Sequence, residues 1–188
     1  MAFQAVYTNL IGLGLLLLAS PLLIATAVLL AVRLPGNPLE QRECLGFQRI
    51  PFQLLRFRTR RPDGRPSWMG SVISRLHLVN LPQLINVVRG EMALFGPPPV
   101  RRNFAERLRQ IIPIFSQRFT VKPGILGWSQ ANLRGWRTPP DESLRLEYDL
   151  YYMRQESPSL DLDILVRTIF GISSFSVAPA KARAAMTE

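Results

Sequence analysis

The longest hydrophobic segment of the chain lies near its amino terminus. The residues from Leu10 to Val32 carry no charge, and about 20 apolar residues suffice for a helix to cross the hydrocarbon layer of a bilayer. A cleaved signal peptide fits poorly, because no charge precedes the segment and its apolar part is too long. We therefore predict a membrane helix over residues 1–33.

Two membrane geometries remain open for this helix. Ser20-Pro21 lies near the middle of the apolar segment, where a proline removes one helical hydrogen bond and kinks the axis. The serine hydroxyl can bond the carbonyl that is set free. A kinked helix can be re-entrant, entering and leaving the membrane on one face, whereas a simple span would be transmembrane. Arg33 and the basic stretch after it predict a cytoplasmic location for the remainder of the chain.

Hydrophobic patterns after the membrane helix predict several helices and a few short strands. Residues 52–61 alternate in part between apolar and basic, which predicts a short strand that runs into a basic loop. Apolar residues at helical spacing predict a helix over residues 72–88, which Pro82 kinks or divides into two. Residues 101–115 predict a basic amphipathic helix, and residues 121–128 predict a turn followed by a short strand.

The last third of the chain predicts two further helices. Thr138 can cap the first of them, with Asp141 three residues after the cap and spaced to pair with Arg145. Residues 161–172 form a second amphipathic pattern, which is typical of a helix on a membrane surface. Residues 177–188 predict a flexible tail.

Charge and composition narrow the choice of partners. The net charge is +10, and of the 23 basic side chains only Lys122 and Lys181 are lysines. Arginine binds phosphate through parallel hydrogen bonds, which favours anionic lipids, nucleotide phosphates or nucleic acid. The membrane helix disfavours nucleic acid. The single histidine, His77, excludes a multi-histidine metal site, and the single cysteine, Cys44, excludes an intrachain disulfide.

Seven short segments carry a family resemblance. They are SP at 20–21, QRECLG at 41–46, FQLLRFRT at 52–59, NLPQLINVVRGEMALFGPPP at 80–99, VKPGILGWSQ at 121–130, LEYDLYYMR at 146–154 and LDLDILVRTI at 160–169. In this order they resemble the bacterial sugar transferases, and more specifically the monotopic polyprenyl-phosphate phosphoglycosyl transferases. The resemblance covers about residues 3–175, which divides the chain into a membrane helix (1–33), a sugar-transferase-like domain (34–176) and the tail.

The resemblance implies a location and a reaction. It implies a re-entrant helix kinked at Ser20-Pro21 and a small, mostly helical α/β domain on the cytoplasmic face of the bacterial inner membrane. In the reaction it implies, an aspartate attacks the β-phosphate of a nucleotide sugar and releases a nucleoside monophosphate. The sugar phosphate then passes to undecaprenyl phosphate, and Mg²⁺ assists. The aspartate belongs to an Asp-Glu pair directly before the LPQL motif.

At the positions of that pair this chain has Val79 and Asn80. Valine has no nucleophilic atom, and the neutral carbonyl of asparagine is a much poorer ligand for Mg²⁺ than a carboxylate. Pro98 also replaces the arginine of the GPRP motif of the family. We therefore expect no catalytic residue at this pair and no cofactor, with Mg²⁺ required only if activity remains.

Other family motifs keep residues that could still bind substrate or partner. The resemblance indicates residual phosphate or substrate contacts at Arg56, Arg58, Gln83, Arg89 and Lys122. It indicates residual metal contacts at Glu91 and Asp149. A partner surface is predicted at Arg101, Arg102 and Arg109.

The altered pair within well-kept motifs favours a non-catalytic descendant of the transferases. Such a protein would be a membrane-anchored structural or partner-binding subunit, in contact with membrane lipid and with a protein partner or a larger membrane complex. One alternative is an active or residually active transferase that moves a sugar phosphate from a nucleotide sugar to undecaprenyl phosphate. The other is a regulatory binder of nucleotide sugar or polyprenyl phosphate.

Overall fold

The computed structural model of the chain describes residues 2–33, 36–61, 65, 67–76, 78–133 and 142–170, with side chains from residue 10 onward. The helices are α1 (Ala2–Arg33), α2 (Trp68–Arg75), α3 (Gln83–Val88), α4 (Arg102–Ile111), α5 (Trp128–Asn132), α6 (Glu142–Gln155) and α7 (Pro158–Phe170). The strands are β1 (Leu39–Leu45), β2 (Pro51–Phe57), β3 (Ala93–Phe95), β4 (Val100–Arg101) and β5 (Gly124–Leu126). The prediction of a mostly helical chain with some sheet is confirmed.

The chain is organised in two compact units. Unit 1 comprises the described residues of 1–44 and 52–92, and unit 2 comprises those of 45–51 and 93–188. In unit 1, β1 and β2 are neighbours in a small sheet. In unit 2, β3 and β5 pair in parallel, with Ala93 opposite Gly124.

Helix α1 is long and apolar enough, from Leu10 to Arg33, to cross a membrane. Pro21 lies inside it, and because proline has no N–H, the carbonyl of Leu17 loses its helical donor. The hydroxyl of Ser20 donates to that carbonyl at 2.7 Å. The Ser20 hydroxyl thus bonds the carbonyl that Pro21 sets free, and the membrane kink itself stays a prediction.

One face of α1 packs against the rest of unit 1. Gly12, Thr26 and Leu30 are buried, and a Cβ added at Gly12 would lie 2.6 Å from Cγ1 of Val87 in α3. A glycine is needed there because a side chain would occupy the space that Val87 fills. Both the amino-terminal and the carboxy-terminal halves of α1 thus contact unit 1.

The core of unit 1 joins α1 to the segments that follow it. The cluster of buried residues consists of Leu30, Phe57, Met69, Ile73 and Val79. Residues 68–88 form two short helices separated by a 3₁₀ turn, as the proline at position 82 predicts.

Unit 2 has two apolar clusters, one on each side of α6. The first contains Leu45, Ala105, Leu108, Phe115, Phe119, Leu146 and Leu150. The second contains Trp128, Ala131, Leu133, Tyr148, Tyr152 and Ile164. Because residues two apart on a helix point in nearly opposite directions, the pairs 146/150 and 148/152 bury two faces of the same helix.

Two predicted helices have different bounds, and some predictions fall outside the described residues. Helix α4 ends at Ile111 rather than at 115, because Pro113 forces the residue before it into an extended conformation. Helix α7 begins at Pro158, before the predicted start at 161.

Some predictions fall on residues that the structure does not describe. They are the cap at Thr138, the pairing of Asp141, His77 and the tail. Among the described residues Arg145 pairs with Glu142, at 3.0 Å.

Candidate functional site

The segment that holds Val79 and Asn80 is a short 3₁₀ turn of unit 1, Leu78–Asn80. The side chain of Val79 is 6% exposed and belongs to the apolar cluster around Phe57 and Ile73. Asn80 is exposed, and its Oδ1 accepts a hydrogen bond from Nε2 of Gln83 at 3.1 Å. Val79 thus packs in the apolar core, and the amide of Asn80 bonds Gln83.

Asn86 and Glu91 form a polar network in the same unit. Asn86 is fully buried. Its Oδ1 accepts from the backbone N–H of Leu55, and its Nδ2 donates to the carbonyl of Gln53 and to Oε2 of Glu91, at 2.6 Å. These bonds tie α3 to β2 and hold the Glu91 carboxylate. Glu91, predicted as a residual metal contact, is thus engaged by an amide within the protein.

The remaining predicted substrate contacts occupy separate places in the chain. Arg56 lies in β2 and Arg58 directly after it, both half-buried, and the backbone N–H of Arg58 donates to the carbonyl of Pro38 at 2.8 Å. Arg89 is exposed at the end of α3. Lys122, in unit 2, is half-buried in the turn before β5.

Unit 2 contains a cavity of about 440 Å³, within the range of roughly 300–1,000 Å³ common for small-molecule sites. Its charged lining consists of three arginines and two carboxylates, and the remainder is mainly apolar. The charged residues are Arg101, Arg118, Arg145, Glu142 and Asp149. Ser129, Gln130, Pro98 and Phe104 are among the other lining residues.

A buried ion pair lines this cavity. Nη2 of Arg118 lies 3.0 Å from Oδ2 of Asp149, and the two side chains are 4% and 1% exposed. Ser129 donates to Oδ1 of Asp149 at 2.7 Å, and Arg118 also donates to the carbonyl of Pro98 at 2.8 Å. Oδ1 of Asp149 therefore accepts a hydrogen bond, Oδ2 forms the ion pair without a hydrogen bond, and the guanidinium of Arg118 is held in place.

Burial and pairing act in opposite directions on the charges of this pair. Burial raises the pKa of Asp149, while Arg118 and the Ser129 hydrogen bond lower it. Burial lowers the pKa of Arg118, and Asp149 raises it. Each charge thus depends on the other, because neither could be buried alone without a large loss of hydration energy.

The other charged residues of the cavity are more accessible. Arg145 pairs with Glu142 at 3.0 Å, with the two side chains 43% and 29% exposed, and Arg101 is exposed. Arg118 and Arg145 were not among the predicted substrate contacts, because ordinary arginines in a chain rich in arginine carry no distinguishing signal. Asp149 was predicted, but as a metal contact rather than as the partner of an arginine.

The predicted partner surface also differs in its details. Arg101 and Arg102 are exposed at the start of α4, as expected. Arg109 is half-buried and bound within the protein, to Glu106 at 2.8 Å and to the hydroxyl of Ser116 at 3.2 Å.

The described residues show no ready cluster of metal ligands. Among them no group of three or more His, Cys, Asp or Glu side chains is placed to hold a metal ion. Glu91, Glu142 and Asp149 each pair a carboxylate oxygen with a side chain of the protein, whereas Mg²⁺ needs several oxygen ligands gathered in one place. We therefore derive no step of a reaction through a metal.

Comparison with known proteins gives consistent matches. Residues 2–174 match the family model described as bacterial sugar transferase. The UDP-N-acetylgalactosamine-undecaprenyl-phosphate N-acetylgalactosaminephosphotransferase of Aeromonas hydrophila is 34% identical, over 81% of this chain and 39% of that protein. The UDP-glucose:undecaprenyl-phosphate glucose-1-phosphate transferase of Escherichia coli K12 is 34% identical, over 83% of this chain and 37% of that protein. The chain thus spans less than half the length of these relatives.

Proposed function

The chain belongs to the bacterial sugar transferase family, and on that premise we propose that it transfers a sugar phosphate from a UDP-sugar to undecaprenyl phosphate at the membrane. The two relatives named above are both sugar-phosphate transferases that act with undecaprenyl phosphate. Their names support this function. The sequence favoured a non-catalytic subunit, for which these comparisons offer no support. The transferase alternative therefore becomes the main proposal.

The observation that carries the proposal is the arginine-lined cavity of unit 2. Arg101, Arg118 and Arg145 line one space, and guanidinium groups bind the oxygens of a diphosphate through charge-assisted hydrogen bonds. Asp149 fixes the orientation of Arg118, so that this donor is in place before a ligand arrives. Apolar residues in the lining lower the local dielectric constant beside the arginines, which strengthens their attraction for phosphate.

The geometry favours a reaction without a protein nucleophile. Val79 has no reactive atom, and both oxygens of Asp149 face Ser129 or Arg118. We propose that a phosphate oxygen of undecaprenyl phosphate attacks the β-phosphorus of the UDP-sugar directly. The bond from that phosphorus to the oxygen bridging it to the α-phosphorus breaks, and UMP leaves with this oxygen and both electrons of the bond. The role of the protein is then to position both substrates and to stabilise negative charge.

The contact between Gly12 and Val87 supports a re-entrant α1 over a transmembrane one. Leu30 lies in the core of unit 1, and Gly12 also packs against this unit. A straight helix rises about 1.5 Å per residue, so a simple span would carry residue 12 far from a unit that lies on the side of residue 30. A re-entrant helix brings both halves back to one face, and we place that face at the cytoplasm.

The test is release of UMP from a panel of UDP-sugars by the full chain in nanodiscs, with undecaprenyl phosphate and with or without Mg²⁺. Arg145→Gln should lower kcat/KM by about tenfold or more, since one charge-assisted phosphate contact contributes roughly 1.5–3 kcal/mol. Arg109→Gln, outside the cavity, is the matched control and should have little effect. Absence of UMP release with every UDP-sugar would contradict the proposal.

A second candidate function rests on the buried side chain of Val79. A protein whose nucleophile position belongs to the apolar core could have kept the fold as a membrane-anchored subunit that binds a protein partner. This candidate predicts no UMP release, together with a stable complex in mild detergent that Arg101→Glu or Arg102→Glu weakens. The two candidates therefore differ in UMP release and in complex formation.

A further inference from the structure

One carboxylate lies among the arginines of the unit 2 cavity and is accessible to solvent. Glu142 lines this cavity together with three arginines, and its Oε1 accepts a hydrogen bond from Nη1 of Arg145 at 3.0 Å. The side chains of Arg145 and Glu142 are 43% and 29% exposed. Asp149, the other carboxylate of the lining, is 1% exposed and paired with Arg118. Because like charges repel, Glu142 opposes the binding of phosphate in the space where the arginines favour it.

The accessible pair of Glu142 and Arg145 acts on the buried pair through its charges. Burial has the largest effect on the buried pair, since it lowers the pKa of Arg118 and raises that of Asp149. Glu142 also raises the pKa of each, while Arg145 lowers it. The charge of Glu142 therefore acts on Arg118, and it acts equally on a phosphate bound beside Arg118.

Substrate and product of the proposed reaction carry their negative charge differently. The α-phosphate of a UDP-sugar is bonded on both sides and carries one charge, whereas in UMP the same phosphate is terminal. A terminal phosphate monoester has its second pKa at about 6 and carries close to two charges at pH 7.5. Since the energy of repulsion is proportional to each charge, Glu142 repels the phosphate of UMP more strongly than the α-phosphate of the substrate.

We propose that Glu142 is a specificity-determining residue, through which the cavity binds the UDP-sugar in preference to the product UMP. In the free protein Glu142 neutralises Arg145, and a diphosphate that enters takes over this guanidinium. After transfer, the carboxylate repels the concentrated charge of UMP and pairs with Arg145 again, and UMP leaves. The exchange is possible because an accessible pair at i,i+3 spacing contributes little to stability. This inference rests on the proposed function, because it assigns the cavity to the nucleotide sugar.

The experiment measures binding by isothermal titration calorimetry to the full chain in nanodiscs, without undecaprenyl phosphate and at pH 7.5. The ligands are UMP and whichever of UDP-glucose and UDP-N-acetylgalactosamine binds the unaltered chain more tightly. The variant is Glu142→Gln, which keeps the size of the side chain and removes its charge. The matched control is Glu106→Gln, because Glu106 pairs with Arg109 at the same i,i+3 spacing, on α4 and away from the cavity lining.

We expect Glu142→Gln to lower the Kd for UMP by about fivefold and the Kd for the UDP-sugar by less than about twofold. The preference for substrate over product then falls, whereas Glu106→Gln should change neither Kd. At pH 5 UMP carries only about one charge, and the effect of Glu142→Gln on UMP should fall to its effect on the UDP-sugar. A purely structural role of Glu142 does not give this dependence on pH.

Several outcomes would overturn the inference. They are an unchanged or weaker binding of UMP to Glu142→Gln, an equal tightening of both ligands, and an effect on UMP that persists at pH 5. Failure of all the nucleotides to bind the unaltered chain would overturn the nucleotide site as well. Absence of UMP release from every UDP-sugar, together with selective tightening of UMP in Glu142→Gln, would instead contradict the transferase and support this role of Glu142.

Discussion

Arg118 and Asp149 form a buried ion pair in unit 2, with 3.0 Å between Nη2 and Oδ2. The pair connects the segment after α4 to the middle of α6, between the two apolar clusters that α6 separates. Its burial means that each charge is stabilised mainly by the other, by Ser129 and by the carbonyl of Pro98. Removal of one partner therefore leaves the second charge buried without compensation.

Replacement of the carboxylate should destabilise unit 2 strongly. We expect Asp149→Asn to lower the free energy of unfolding by about 3–5 kcal/mol, because Arg118 stays buried and charged while its partner becomes neutral. The measurement is denaturant unfolding of the detergent-solubilised chain, followed by tryptophan fluorescence. Arg109→Gln is the control, because its pair with the more exposed Glu106 should contribute less than about 1 kcal/mol. Equal effects of the two changes would contradict the importance of burial.

Two glycines of α1 provide a matched test of how this helix packs. A side chain at Gly12 would overlap Val87, whereas nothing lies within 4 Å of a Cβ at Gly14. We expect Gly12→Leu to destabilise unit 1 by about 1–3 kcal/mol through overpacking. Gly14→Leu should leave it unchanged within about 0.5 kcal/mol. Thermal unfolding in the same detergent measures both, and a destabilising Gly14→Leu would show that α1 packs through another face.

Position 79 should tolerate a carboxylate less well than position 80. Val79→Asp inserts a carboxylate into the apolar cluster around Phe57 and Ile73, and loss of hydration should destabilise unit 1 by roughly 2–4 kcal/mol. Asn80→Glu changes an exposed residue and should cost less than about 1 kcal/mol, including its bond to Gln83. Unfolding midpoints of the two single variants decide this, and a stable Val79→Asp would show that position 79 can turn towards solvent.

The sequence predicted much of the fold because local rules determine most of it. Pro21 and Ser20 determine the hydrogen bonding in the middle of α1, and Pro82 separates α2 from α3. Val79 and Asn80, which the family resemblance aligns with the Asp-Glu pair, lie together in one short 3₁₀ turn. Strand β1 was not predicted, because its sequence LEQRECL has four charged or polar residues in succession and no clear alternation.

The cavity of unit 2 could not be predicted, because it depends on contacts between distant segments. Arg118 is separated from Asp149 by two elements, β5 and α5, and no local pattern distinguishes this arginine from the many others. The sequence likewise could not show that Arg109 bonds Glu106 and Ser116. Pairing of charges across a fold is a tertiary property, whereas helix ends and kinks are local ones.

A re-entrant α1 predicts the location of the amino terminus. With Cys44→Ala as background, a cysteine placed by Ala2→Cys should react with a membrane-impermeant maleimide only after the inner membrane is made permeable. The physical reason is that both halves of α1 pack on unit 1, through Gly12 and Leu30. A cysteine at the exposed Arg102 serves as the cytoplasmic control. Labelling at position 2 in intact spheroplasts, with position 102 protected, would establish a transmembrane helix.

Isotope exchange shows whether the sugar phosphate is transferred in one step or through an intermediate on the protein. An enzyme that carries the sugar phosphate on its own side chain exchanges labelled UMP into UDP-sugar without undecaprenyl phosphate, since the first half of the reaction reverses by itself. In this chain Val79 has no nucleophilic atom, and both oxygens of Asp149 face Ser129 or Arg118. We therefore expect exchange of UMP only when undecaprenyl phosphate is present. The rates of exchange and of net transfer should rise with the concentration of this lipid in the same way. Exchange without the lipid, abolished by Glu91→Gln but retained in Arg109→Gln, would identify a covalent intermediate on Glu91 and replace direct displacement by a two-step reaction.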